Sequence, residues 1–193
     1  SLSLTAVFVP SELAPGTIVI NEINYNSNDN HDSGDWIELL NPGESEIDIS
    51  GWVMKDDDND HTYILPNNTF IENGEYLIIA QNPSNFLDLY SNNIPLIGPF
   101  DFGLSGGGDE VRIFNSQGIL MDSVKYDDSD PWPIEPDGEG RTLELINPNY
   151  DNSLASAWAS SQDYGSPGEQ NTSFFLEQNL TKNIPQVHTL LPA

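Results

Sequence analysis

Apolar residues along this chain come in short bursts rather than in helical stripes. Segments rich in Val, Ile, Tyr and Trp recur about every ten residues, separated by clusters of Asn, Asp, Gly, Ser and Pro. That is the punctuation of strands joined by turns. The pattern predicts strands over Thr17–Asn24, Asp35–Asn41, Ile47–Lys55, His61–Leu65, Tyr76–Ala80, Val111–Asn115, Ile119–Tyr126 and Arg141–Ile146. β-Branched and aromatic residues suit such half-buried pleated surfaces. In Val111-Arg112-Ile113 a polar residue separates two apolar ones, so one face of that strand is wet. The run GDEVRIFNSQGILMDSVKY reads as a hairpin turning at Asn115-Ser116-Gln117-Gly118, where Gly118 is free to adopt a positive φ.

One short helix is predicted. Asn82 caps it, Pro83 takes the first helical position, and Phe86, Leu87 and Tyr90 fall on one side. The Pro-rich stretch Pro95–Pro99 ends it. No repeat at solenoid or propeller spacing is present. Residues 1–15 read as a linker, within which Leu2–Val9 has the pattern of an edge strand. From Thr172 acidic residues almost vanish and regularity is lost, so 172–193 reads as a connector and 16–171 as the domain.

Many short strands and almost no helix in about 150 residues point to an all-β fold of two stacked sheets, because neither sheet alone buries its apolar face. Trp36, Trp52, Tyr76, Phe114 and Trp158 are the expected large core groups.

Charge narrows the partners. The 193 residues carry five Lys+Arg against 31 Asp+Glu, a formal net charge of −26. Nucleic-acid affinity rests on basic residues neutralising phosphates, so a nucleic acid is not the expected partner. An anionic membrane surface is disfavoured for the same reason, and no apolar run approaches the ~18 residues of a membrane span. The opening SLSLTAVFVP lacks the basic head and long apolar stretch of a signal peptide. There is no cysteine, which excludes disulfides and thiolate metal sites.

An ordered set of motifs then becomes recognisable: NEINYN at Asn21–Asn26, DWIELLNPGE at Asp35–Glu44, IDISGWVMKD at Ile47–Asp56, Leu65-Pro66, and NGEYLIIA at Asn73–Ala80. The GGGDEVRIFNSQG hairpin, DGEGRTLEL at Asp137–Leu145, Trp158, and GSPGEQN at Gly165–Asn171 follow. Together they resemble the lamin-tail domain in its bacterial form. The resemblance implies an immunoglobulin-like β-sandwich. It also implies a non-catalytic module attached to secreted or surface proteins, sometimes beside hydrolase, nuclease or kinase-like domains. In animal nuclear lamins the related domain follows a coiled-coil rod, but this chain has no heptad run and its acidity opposes DNA contact. One departure is Leu145, where many relatives carry Arg after the Leu-Glu pair, so an ion pair is expected to be missing there.

Residues with chemical potential are scattered. His31, His61 and His188 fall in loops or the tail, and none lies in a triad or zinc motif. No catalytic residue is assigned. Asp56, Asp58 and Asp60 alternate as at the start of an EF-hand loop, and calcium favours such hard oxygens. The pattern then fails: His61 stands where the turn glycine belongs, and Asn67 where a bidentate Glu closes the site. Asn28, Asn30, Asp32 and Asp35 form a second oxygen-rich loop, and Asp127, Asp128 and Asp130 a third. Glu22 and Glu38 sit inside strand motifs, where a buried carboxylate needs a partner, either Arg141 or backbone amides. Trp132, among prolines, is the candidate interaction residue, as a platform for a sugar or peptide. Gly106-Gly107-Gly108 is a hairpin entry rather than a phosphate cradle, since no Lys-Ser or Lys-Thr follows.

The expectation is a monomeric extracellular or cell-surface bacterial module within a multidomain chain, binding a protein or cell-surface partner and inserting into no membrane. It requires no cofactor. A calcium- or carbohydrate-binding role using the acidic loops is the competing expectation.

Overall fold

The turn-rich sequence folds into short strands stacked in two layers. The computed structural model describes residues 17–90 and 93–175. The expected linker 1–15 with its Leu2–Val9 edge strand, and the chain from 176 onward, lie outside the described residues. In chain order the elements are β1 (Val19–Asn24), β2 (Trp36–Leu40), β3 (Ile47–Asp48), β4 (Val53–Lys55), β5 (Tyr63–Ile64), β6 (Phe70–Ile71), β7 (Tyr76–Ala80) and α1 (Pro83–Leu89). They continue with β8 (Leu96–Ile97), β9 (Asp109–Phe114), β10 (Leu120–Tyr126), β11 (Leu143–Leu145) and β12 (Trp158–Ser160).

One sheet has six strands in the order β12-β11-β1-β2-β7-β8, the other four in the order β10-β9-β4-β5, and β3 pairs with β6 in a separate ribbon. Pairing is antiparallel except between β7 and β8. Ile20, Ile23, Ile37, Leu39, Leu143 and Leu145 of the larger sheet join Met54, Val111, Ile113 and Val124 of the smaller in one core, with Trp52 and Trp158. This is the immunoglobulin-like sandwich expected from the sequence.

The larger sheet is buried on its outer face as well. There α1 lies over β2 and β7, and Trp36, Ile78, Ala80 and Phe86 form a second apolar cluster. Trp36 meets Phe86 edge-on at 5.6 Å and donates its indole N–H to Ser33 Oγ at 3.1 Å. The helix begins as the sequence predicts: Asn82 accepts the Asn85 amide, with Pro83 in the first turn. Only Phe86 of its residues is buried, so Leu87 faces solvent rather than sharing the packed side.

Several boundaries differ from the sequence expectation. The strand expected over Ile47–Lys55 is two strands, because Ser50 donates its amide to Asp48 and Gly51 turns the chain at φ +70°. Pro95–Pro99, expected only to end the helix, contributes the parallel strand β8. Strands β6, β8 and β12 are too short to leave a periodic signal. Tyr76 and Phe114 are half-buried, whereas Trp36, Trp52 and Trp158 are core groups. A bulge between Ile20 and Glu22 aims both Ile20 and Ile23 at the core while Asn21 and Glu22 face outward.

Candidate functional site

Three carboxylates stand side by side on the outer face of the larger sheet. Glu22 is the register partner of both Glu38 on β2 and Glu144 on β11, and all three are 0% exposed. A strap, residues 162–173, covers them. Glu22 Oε1 accepts the Ser166 amide at 3.1 Å and the Thr142 hydroxyl at 2.5 Å. Glu38 accepts the Gly168 amide at 2.6 Å and Asn21 Nδ2 at 2.8 Å. Glu144 accepts from the Ser166 and Thr172 hydroxyls and from the Ser173 amide. Asn171 fastens the strap further, donating to the carbonyls of Asn21 and Leu145, each at 2.9 Å.

Glycines let the strap come this close. A Cβ on Gly165 would collide with Glu22 Oε1, and one on Gly168 would sit 3.0 Å from Ile94; both residues have positive φ. The GSPGEQN motif is thus the underside of the strap. Burial, then the neighbouring Glu38 and Glu144, lifts the Glu22 carboxyl well above the usual range. Burial pushes Glu38 up to about 8, against the lowering effect of its Gly168 and Asn21 hydrogen bonds.

Backbone amides do hold Glu22 and Glu38, as one branch of the expectation had it. Arg141 does not: it donates to the Ser161 carbonyl at 2.6 Å. The sequence reading missed Glu144, although TLEL repeats the signal of NEIN and IELL, a carboxylate flanked by apolar residues in a strand. Leu145 is buried in the core, and among the described residues no Lys or Arg pairs with the carboxylate row. Among the described residues the only ion pair joins His61 to Asp56. Perturbed carboxyls in a cleft suggest acid–base chemistry, but none of these three lines the cavities of about 60, 340 and 320 Å³.

The acidic turn after β4 is closed by its own atoms. Asp56 is buried; its Oδ1 accepts the Asp58 amide and Asp58 Oδ1 accepts the Asp60 amide, both at 2.9 Å. Asp56 Oδ2 lies 2.6 Å from His61 Nδ1, and this bond raises the His61 pKa. Arg112 donates to the Asp56 carbonyl and to Asn59 Oδ1, and Lys55 to the Asn59 carbonyl. In the second loop Asp32 accepts the Gly34 amide, and Asp35 the Leu104 amide at 2.8 Å. Burial pushes Asp35 up to about 6. In the third, Asp127 accepts the amide and hydroxyl of Ser129. Among the described residues no three His, Asp or Glu side chains group so as to hold a metal ion.

His31 and His61 do not meet. His31 stacks on Tyr164 with ring centroids 3.8 Å apart, His61 stacks on Phe102 at 5.2 Å, and His188 lies outside the described residues. Trp132 is half-buried and packs 6.3 Å from Trp158 at the edge of the core.

The outer face of the smaller sheet is different. Val53 pairs with Ile64 on one side and Phe114 on the other, and Phe114 pairs with Leu120, so an apolar row crosses all four strands. Ile64 is 64% and Leu120 49% exposed, with Val53 and Phe114 half-buried between them. Lys55 and Arg112, also register partners, run alongside. A cavity of about 320 Å³ opens here, lined by Val53, Lys55, Asn59, Phe114 and Gly118. The sequence carried a trace of this row: apolar runs such as YIL and GILM must turn one member outward.

No curated protein matches the chain. The profile of the Lamin Tail Domain family matches residues 11–128, which takes in β1 to β10. The NEIN, IELL and hairpin segments resembled that family in sequence, and they form the centre of this sandwich. The chain belongs to the lamin tail domain family.

Proposed function

We propose that this domain is a non-catalytic accessory module of a larger secreted bacterial protein, acting outside the cytoplasm by binding a protein or cell-surface partner. The observation that carries this reading is the apolar row Ile64–Val53–Phe114–Leu120, laid across a rigid sheet and left open to water. Exposed apolar patches on stable sandwiches mark interaction surfaces more often than accidents. Glu22 and Glu38, both raised by burial, are 0% exposed beneath the strap, which supports a role without turnover.

A calcium- or carbohydrate-binding role has less behind it. Both Asp56 oxygens are taken, by the Asp58 amide and His61, and Asp58 Oδ1 by the Asp60 amide, while Trp132 leans on Trp158 instead of standing free.

The test uses the labelled full chain and its Ile64→Asp/Leu120→Asp variant. Both are titrated against the separately produced neighbouring domains of the parent protein and against intact producing cells. Saturable binding weakened about tenfold by the variant supports the reading. Equal binding by both proteins moves the surface elsewhere. Turnover in a broad hydrolase screen, lost on a single carboxylate substitution, overturns it.

A further inference from the structure

The carboxylate row and its strap form a device that the interaction role does not use. Adjacent strands lie about 4.8 Å apart, and three full negative charges at that spacing, out of water and without a cation, repel strongly. The row therefore holds at least one proton when buried. Glu22 Oε2 is fully buried and has no hydrogen-bond partner, so it is the oxygen that loses least by taking that proton. Burial and the neighbouring carboxylates raise Glu22 and Glu38 in the same sense.

The two sides of the contact differ in strength. Glu22 and Glu38 sit on strands paired on both edges, and Glu144 on a strand held by β1 and β12. The strap has no ladder, and it meets the row through the amides of Ser166, Gly168 and Ser173 and the hydroxyls of Ser166 and Thr172. If one side yields, the strap does, as a local opening between its anchors at Ser161 and Phe175.

We propose that Glu22, Glu38 and Glu144 form a proton-dependent latch: the protonated row keeps the strap 162–173 on the sheet, and full ionisation drives it off so that water reaches the carboxylates.

The other titratable groups facing the row leave it in control. Tyr76 on β7, pushed up to about 12 by burial, and Tyr90 after α1, raised further by burial, stay neutral across the relevant range. Tyr90 donates to the Tyr164 carbonyl of the strap, and His31, lowered by burial, stacks on the Tyr164 ring. Asp163 and Glu169 of the strap are exposed. Arg141, the basic residue closest along the chain, is spent on Ser161.

The experiment is a carboxyl-carbon NMR titration of the full chain from about pH 5 to about pH 10, with amide exchange corrected for intrinsic rates. At least one of the three glutamates is expected to titrate above about pH 7. Over the same range, protection at Ser166, Gly168 and Ser173 falls about tenfold or more while Leu39 and Ile78 keep theirs. In Glu22→Gln, a neutral isostere, strap protection becomes independent of pH. Ordinary titration of all three carboxyls overturns the proposal, and so does high titration with an unmoved strap. An equal loss of protection in Glu22→Gln also overturns it. If that variant fails to fold, the wild-type titration decides alone.

Discussion

Asp122 reaches across the sandwich to Ile20, its Oδ2 accepting the Ile20 amide at 2.7 Å. Both residues sit where a ladder slips: β1 against β2 between Ile20 and Glu22, and β10 against β9 between Leu120 and Asp122. A bulge strands an amide, and here one carboxylate from the opposite sheet supplies its acceptor. Asn152 Nδ2 donates to the same oxygen at 2.8 Å. Burial raises the Asp122 carboxyl, and these hydrogen bonds oppose the rise.

Removing that carboxylate leaves a buried amide unpaired. Asp122→Ala is expected to lower unfolding stability by about 2–3 kcal/mol, read from urea denaturation. A loss under about 0.5 kcal/mol would mean that water replaces the bond without cost.

The outer apolar row contributes little to the fold. Ile64→Asp and Leu120→Asp are each expected to change stability by no more than about 0.5 kcal/mol in thermal melts. Met54→Ala, on the buried side of the strand carrying Val53, costs about 2–5 kcal/mol. Similar losses on the two faces would show that the row is structural.

Stability falls as pH rises from mildly acid conditions. A carboxyl whose folded pKa lies above its unfolded value keeps its proton longer in the folded state, so stability is lost between the two values. Asp35 spans 3.8 to about 6, and Glu38 spans 4.5 to about 8. Asp35→Asn should flatten the lower part of a melting-temperature profile, and Glu38→Gln the upper part. His61, raised by Asp56, adds a decline of the same sign. The lowered carboxyls of Asp48, Asp127 and Glu135 act from 4.5 downward, and His31, lowered by burial, opposes the decline just below 6.5. A rising profile between about pH 5 and about pH 8 contradicts the assignment.

Calcium would have to break the Asp56 turn to bind it. The ion needs six to eight oxygens, while Asp56 Oδ2 is on His61 and the Asp56 carbonyl faces the Arg112 guanidinium. Titration calorimetry with calcium is expected to give no saturable heat. A saturable heat lost in Asp58→Asn would restore Asp56, Asp58 and Asp60 as a metal site.

What the sequence revealed follows the length of each signal. The alternating strand around Val111 could be read from its period, and the strand around Ile23 and the Asn82-Pro83 helix start from composition. Two-residue strands such as Phe70–Ile71 could not, since two residues define no period. Glu22 and Glu38 stood out as carboxylates in strands, but their proximity to Glu144 depends on β1 lying between β2 and β11, a matter of sheet order. The exposure of Leu120 likewise depends on which face the opposite sheet covers.

Asn21 bonds to Asn171, 150 residues later, so the domain closes with its own end. On the ribosome, β1 and β2 emerge with Glu22 and Glu38 bare, and Glu144 follows only with β11. They stay wetted until the GSPGEQN stretch arrives. Synthesis order therefore defers completion of the fold to its final residues, and a chain cut before Ser166 lacks the piece that finishes it.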